Sequence, residues 1–321
     1  MRAVRYRTYG GPEVLQIEEV PCPVPEAGQV LIAVEAVGLN VIDTVFRRGS
    51  GPWTRPLPGA LTGDVVGRVA ALGPGVESVA LGDRVAASSE DAYAESVIAD
   101  ARWLAPVPDD ADAGEATVLA MTGPLAWRLL RLARVEPSDT LLVQSAAGGV
   151  GHLVIQLAKI LDVATVIGTA SSPTKLEFVR TCGADIAIDF SDPSWADQVR
   201  AVTPHGVDVV LDAVGGQTFN QGVELLAPLG RMVTYGAIGG EPPMVSALAL
   251  SAAKAVLGVS ITAWRNVRPA EARSDIAEVA ELFANRRLRP VVHAVVPFAD
   301  VVSAHEILHQ RANLGRVVLT V

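Results

Sequence analysis

From residue 140 onward, short apolar runs alternate with longer stretches in which apolar residues recur every three or four positions. The short runs at Thr140–Ser145, Ala164–Thr169, Ile186–Asp189, Val207–Ala213 and Arg231–Gly236 read as strands. The periodic stretches between them, at 149–161, 173–182, 194–203 and 217–227, read as helices. Strands separated by helices of this length form βαβ units and a parallel sheet, and nearly all-apolar strands are what helices on both faces require. The first hundred residues differ. Val30–Val37, Val65–Leu72 and Arg84–Ala87 are strand-like runs, separated by turn signals at 73–75 and 82–83, which predicts a compact β-rich domain. Helical periodicity takes over from about residue 112 to Val135, just before Pro137. Beyond 240, Val256–Ala263 reads as an edge strand, 270–286 as a helix, and the tail from Val291 as strand, helix, strand, a β-rich return to the first domain.

Composition narrows the function classes. The chain has 321 residues, enough for two domains, with half of them hydrophobic and 19% charged, so disorder is not expected. No apolar run is long enough to span a bilayer, and the first residues lack the apolar segment of a secretory signal. A formal net charge of −9 argues against a nucleic-acid partner. Two distant cysteines, Cys22 and Cys182, form neither a disulfide framework nor a four-cysteine zinc site and fit a reducing cytoplasm; Cys182 reads as a buried structural thiol.

One stretch carries chemistry. In LLVQSAAGGVGHLVIQLAK, at 141–159, an apolar strand stops in six small residues before an apolar helix begins. Ala146-Ala147-Gly148-Gly149-Val150-Gly151 fits AxGxxG, a variant of the dinucleotide fingerprint. A small residue at 146 permits the tight turn, Gly148 admits a pyrophosphate to the backbone, and Gly151 lets the helix lie close on the sheet. The helix N-terminus then offers N–H groups and a partial positive charge to the anion. About 20 residues on, where an NAD site carries an acid for the ribose hydroxyl, the chain reads GTASSPTK. Ser171, Ser172 and Lys175 suit a 2′-phosphate, so NADPH is favoured over NADH. Ser172 also reads as the N-cap of the following helix, and the two roles are compatible.

These segments, with VGLNVIDTVFRRG at 37–49, GDVVGRVAALGPGVESVALGDRVA at 63–86 and NLGRVVLTV at 313–321, resemble the zinc-free quinone oxidoreductase branch of the medium-chain dehydrogenase/reductase superfamily, over nearly the whole chain. The resemblance implies an α/β protein: a Rossmann doubly wound parallel sheet (119–265) and a GroES-like β-rich catalytic domain (1–118, completed by 266–321), with NADPH in the cleft between them. It implies Ala147, Gly148, Gly149 and Val150 at the pyrophosphate, Ser171, Ser172 and Lys175 at the 2′-phosphate, Tyr235, Gly236 and Ala237 along the nicotinamide, Arg311 reaching the cofactor, and Asn40 and Asp43 near the substrate. Phe190 stands where the family often has Tyr, Leu125 where it often has Thr (with Thr122 as a substitute), and Val45 where a Tyr is common. Zinc relatives bring a metal-binding Cys where this chain has Leu39-Asn40 and a His-Glu pair where it has Gly63-Asp64, so no metal site is expected.

The chemistry that follows is hydride transfer from NADPH to a quinone or α,β-unsaturated carbonyl, with Asn40 either donating an N–H to the oxygen that gains charge or orienting the ring. Asp43 reads either as an orienting group or as a turn or cap residue. Two alternatives stay open: an enoyl reductase acting on thioesters, with Arg47, Arg48 and Arg55 as a basic rim for a carrier phosphate, and a non-catalytic NADPH-binding sensor or scaffold. His305 and His309, with Glu306 between them, match HExxH on paper but read as part of a surface helix. Tyr93 reads as packing. An apolar edge strand at 256–263 predicts a homodimer.

Overall fold

The computed structural model describes residues 1–50 and 54–321, and the chain forms two compact units, Met1–Pro124 with Ala270–Val321 and Leu125–Pro269. In the first unit the strands are β1 (Arg2–Tyr6), β2 (Leu15–Glu19), β3 (Gln29–Gly38), β4 (Gly63–Leu72), β5 (Arg84–Ser89), β6 (Ser96–Asp100) and β7 (Ala105–Pro106), with helix α1 (Val41–Arg48) between β3 and β4. Helices α2 (Ala113–Ala116) and α3 (Thr122–Leu132) follow, the chain passing into the second unit within α3.

The second unit continues as β8 (Thr140–Val143), α4 (Gly151–Ile160), β9 (Thr165–Ala170), α5 (Pro173–Thr181), β10 (Ile186–Asp189), α6 (Trp195–Val202), β11 (Val207–Asp212), α7 (Gly216–Leu225), β12 (Leu226–Thr234), β13 (Ala255–Gly258) and α8 (Ile261–Val267). The chain then returns through α9 (Pro269–Ala284), β14 (Val292–Pro297), α10 (Val301–His309) and β15 (Arg316–Thr320).

The six strands of the second unit are all parallel, in the order β10-β9-β8-β11-β12-β13. The order reverses at β8, so the turn after β8 opens at the topological switch point, where open α/β sheets bind ligands. Strand cores are buried throughout, as in Leu141, Leu142, Val143, Val166, Ile167, Val209 and Val210, which satisfies the two-sided burial that their composition predicts. A cluster of Trp195, Val199, Phe219, Val223 and Met232 closes one face.

In the first unit β3 is the hub of a seven-stranded sheet. It pairs antiparallel with β4, β6 and β15, and Gly38, at its end, faces both Asp64 of β4 and Val318 of β15. Two sequence expectations need correction. The helical stretch from 112 is two helices: Pro124 lacks the N–H and clashes with any preceding turn, so the helix restarts at Thr122. The segment Val256–Ala263 is strand only to Gly258, because Ser260 caps α8 by accepting a hydrogen bond from Ala263 N at 3.3 Å. β13 is the edge of its sheet.

Candidate functional site

The turn after β8 is held from several sides. Ser145 takes a left-handed conformation at φ 54, Gly148 N donates to Ser145 O at 3.1 Å, and Ala146 N donates to Thr169 O at 2.9 Å. A positive φ on serine costs energy that the surrounding bonds must hold. His152, buried in the first turn of α4, places Nδ1 2.9 Å from Gly148 O, so this nitrogen carries the proton.

The glycines differ in why they are there. A Cβ on Gly151 would lie 2.5 Å from Ser145 O and 2.8 Å from Ala146 Cα; the fold itself forbids it. A Cβ on Gly148 would meet only Ser145 O at 3.3 Å and Oγ at 3.6 Å, which needs a small adjustment. Gly148 is thus under a weaker steric demand from the fold than Gly151. α4 has no side-chain cap; within its first turn His152 N donates to Gly148 O at 3.3 Å and Leu153 N to Val150 O at 3.1 Å.

At the end of β9, Ser171 is exposed and Ser172 and Lys175 are half-buried. Ser172 Oγ accepts from Lys175 N at 3.3 Å and so caps α5. No carboxylate stands among residues 168–175. Phe190 follows β10, with its N–H donating to Ala170 O at 3.0 Å. Beyond β12, Tyr235 N donates to Asp212 O at 2.9 Å, and burial with the nearby Asp212 carboxylate pushes its phenol well up. Asp212, itself fully buried, ties down the following turn by accepting from Val214 N at 3.0 Å and Gly215 N at 3.2 Å. Gly236 and Ala237 follow Tyr235 in a partly exposed segment.

In the β-rich unit, the registers of β3, β4 and β15 bring together four residues that are remote in sequence. Arg316, 2% exposed, donates from Nη2 to Asp64 Oδ2 at 3.0 Å, and from Nη1 to Asn40 Oδ1 and Thr122 Oγ1, each at 3.0 Å. The Thr122 hydroxyl donates in turn to Asp64 Oδ2. A Cβ on Gly38 would run into Arg316 Nη2, so this glycine makes room for the guanidinium. The result fixes the Asn40 amide: its oxygen is taken by Arg316, and its buried Nδ2 has no acceptor among the described residues. Thr122, an expected cofactor contact, has its one hydroxyl proton committed to Asp64. Arg311 lies exposed at the end of α10, in a left-handed conformation at φ 52.

Asp43 is fully buried in the first turn of α1. Its Oδ1 accepts from Thr62 N and Thr62 Oγ1, each at 2.8 Å, while Oδ2 has no partner among the described residues. Burial raises its carboxyl to about 7, against the lowering effect of the Thr62 bonds and the Arg55 charge.

Other candidates fall away from the chemistry. Arg47 is fully buried and donates to Gly10 O at 3.1 Å, so it forms no basic rim; Arg55 pairs with Glu90 and stacks 4.3 Å over Phe46. His305 is buried with Nε2 3.2 Å from the Tyr93 hydroxyl, and desolvation drops its pKa to about 3, whereas His309 is exposed. The two do not share surroundings, and among the described residues no three His, Cys, Asp or Glu side chains group as metal ligands. Cys182 is buried, and burial pushes its thiol up to about 11. Sequence reasoning missed Arg316 and Thr62 altogether. The signal for the first was a lone charge heading an apolar strand in GRVVLTV, matched by Asp64 heading GDVV.

Residues 26–109 match the family described as "Alcohol dehydrogenase GroES-like domain", and residues 149–285 match "Zinc-binding dehydrogenase". The chain is 31% identical to a 2-haloacrylate reductase of Burkholderia sp, over 97% of this chain and 96% of the relative. Among solved structures, mycobacterial Rv1454c complexed with NADPH is 35% identical, covers both chains fully and superposes with a TM-score of 0.92. Escherichia coli quinone oxidoreductase complexed with NADPH is 29% identical, again over both full chains, with a TM-score of 0.91.

Proposed function

The chain belongs to the medium-chain dehydrogenase/reductase superfamily, and from that premise we propose that it is an NADPH-dependent, zinc-independent reductase of quinones or α,β-unsaturated carbonyls. The observation that carries the reading is the turn after β8, where a Cβ on Gly148 would ask only a small adjustment of Ser145, so the fold alone does not account for the glycine. Solved relatives that hold NADPH support the cofactor, and a haloacrylate reductase among the relatives supports an activated alkene as acceptor.

In this reading Ala147 to Val150 and the uncapped start of α4 hold the pyrophosphate, and Ser171 and Lys175 hold the 2′-phosphate. Tyr235 to Ala237, with Phe190 and Arg311, complete the cofactor contacts. The bound cofactor supplies hydride. What the protein adds is a donor for the oxygen that gains charge. Asn40 is suited to this, because Arg316 takes the amide oxygen and leaves the buried Nδ2 as a donor with no acceptor among the described residues. A fixed donor in a dry setting stabilises developing charge without reorganising. The family description speaks of zinc, but the chain holds Asn40, Gly63 and Asp64 where zinc relatives bring ligands. Arg316, a permanent cation, already engages both Asn40 and Asp64. We further propose a cytoplasmic homodimer paired through the β13 edge.

Titrating the purified protein with NADPH and NADH by nucleotide fluorescence tests the cofactor, and NADPH oxidation with a panel of quinones and enones tests the reaction. Equal affinity for the two nucleotides contradicts the 2′-phosphate site, and tight NADPH binding without turnover on any acceptor contradicts the reductase.

A further inference from the structure

Reduction of an activated alkene needs a proton as well as a hydride, and the groups described so far supply no proton. Asp43 and Thr62 have the geometry for it. Asp43 is fully buried, so it meets neither water nor a substrate directly. Its carboxylate accepts from Thr62, through the backbone N–H and the hydroxyl, each 2.8 Å from Oδ1, and interacts with the Asn40 backbone at the N-cap of α1. Thr62 is only half-buried, and its hydroxyl is the protic side-chain group bonded to the carboxyl. Asn40 lies on the same carboxylate-bearing turn, its carbonyl accepting from Asp43 N at 3.1 Å. The Asn40 backbone and the Thr62 hydroxyl are thus both bonded to one buried acid.

Resting on the reductase reading above, we propose that Thr62 is the proton donor of the reaction and Asp43 the acid that recharges it. When hydride forms the new C–H bond at the β-carbon, the alkene π pair moves into an enolate, held at oxygen by Asn40 Nδ2. The Thr62 O–H bond breaks as the substrate C–H or O–H bond forms, and the Asp43 O–H bond breaks to restore Thr62. Asp43 is left as carboxylate and is reprotonated from water through the same hydroxyl. The Oγ1···Oδ1 contact of 2.8 Å serves either direction of transfer.

The surroundings keep a substantial share of the acid protonated at neutral pH. Burial raises the carboxyl to about 7; Arg55 is the cation that opposes this, and Tyr6 and Tyr93 face it with phenols whose own ionisation burial suppresses.

The test is Thr62→Val, which keeps the shape and the amide bond and removes the hydroxyl. NADPH affinity and turnover are measured from pH 5 to 9, with whichever of an enone or a quinone the protein reduces faster. The wild-type rate should fall as pH rises through about 7. Thr62→Val should lose roughly 10²-fold in kcat and lose that inflection, with NADPH affinity unchanged, and Thr62→Ser should restore both. In cofactor-free protein, infrared spectra should show a protonated carboxyl that titrates near pH 7, is absent in Asp43→Asn and is shifted by Thr62→Val. Unchanged turnover and pH profile in Thr62→Val overturns the inference alone. Failure of the wild type to bind NADPH or reduce any acceptor overturns the reading beneath it, and the inference with it.

Discussion

Asp64→Asn isolates the charge of the buried network while keeping its shape. Arg316 and Asp64 are 2% and 0% exposed and 3.0 Å apart. At an effective dielectric of about 20 their attraction is on the order of 5 kcal/mol, against which both ions have lost hydration. Removing one partner strands the other charge, which costs about 3–5 kcal/mol at buried sites. Asparagine keeps an acceptor for Thr122 and Arg316, so the loss should lie near the lower end, ~3 kcal/mol. For a unit of this size each kcal/mol shifts the midpoint by about 2–4 °C, so the β-rich unit should melt on the order of 10 °C lower. Differential scanning calorimetry follows this and separates the two units if they melt apart. The double variant Asp64→Leu with Arg316→Met removes both charges and should recover much of the stability, yet reductase activity should stay low because Asn40 loses its anchor. A single variant melting within about 2 °C of wild type, or a double variant no more stable than the single, would refute the assignment.

Gly148→Ala should leave the melting temperature nearly unchanged but weaken NADPH at least about tenfold, whereas Gly151→Ala should lower stability before any ligand is added; parallel melting and fluorescence titrations distinguish them. Lys175→Ala should weaken NADPH by roughly 1.5–3 kcal/mol if the lysine makes a charge-assisted bond, and should leave NADH affinity alone. Asp43→Asn tests the raised carboxyl through stability. The unfolded carboxyl ionises near pH 4 and the folded one near 7, so wild type loses stability relative to the variant as pH rises between these values. The difference levels off above pH 7, at no more than about 4 kcal/mol, and urea unfolding across pH reads it. Val256→Glu on the β13 edge should convert the proposed dimer to a monomer by light scattering; a wild-type monomer refutes the dimer.

Whatever depends on neighbours within one or two turns of chain was legible in the residues alone. The alternation of β8 to β12 with their helices follows from local periodicity, and the side-chain-poor turn at 146–151 follows from six consecutive small residues. The absence of an acid after β9 is likewise read directly from GTASSPTK. Even the finer distinction between Gly148 and Gly151 was expressible there as a difference of role, although only coordinates show which of them the fold needs. Tertiary structure decided the rest. Periodicity reports which face of a segment is buried but not which strand lies beside it. That Gly38 faces both Asp64 and Val318, and so delivers Arg316 to Asn40, Asp64 and Thr122, is a matter of long-range register. For the same reason Arg47, which looks like a surface charge in sequence, is buried, and Asp43, in the first turn of α1, is also an enclosed acid tethered to Thr62. Charges follow the partners and the desolvation that the assembled sheet imposes on them, and those are fixed only when distant strands pair.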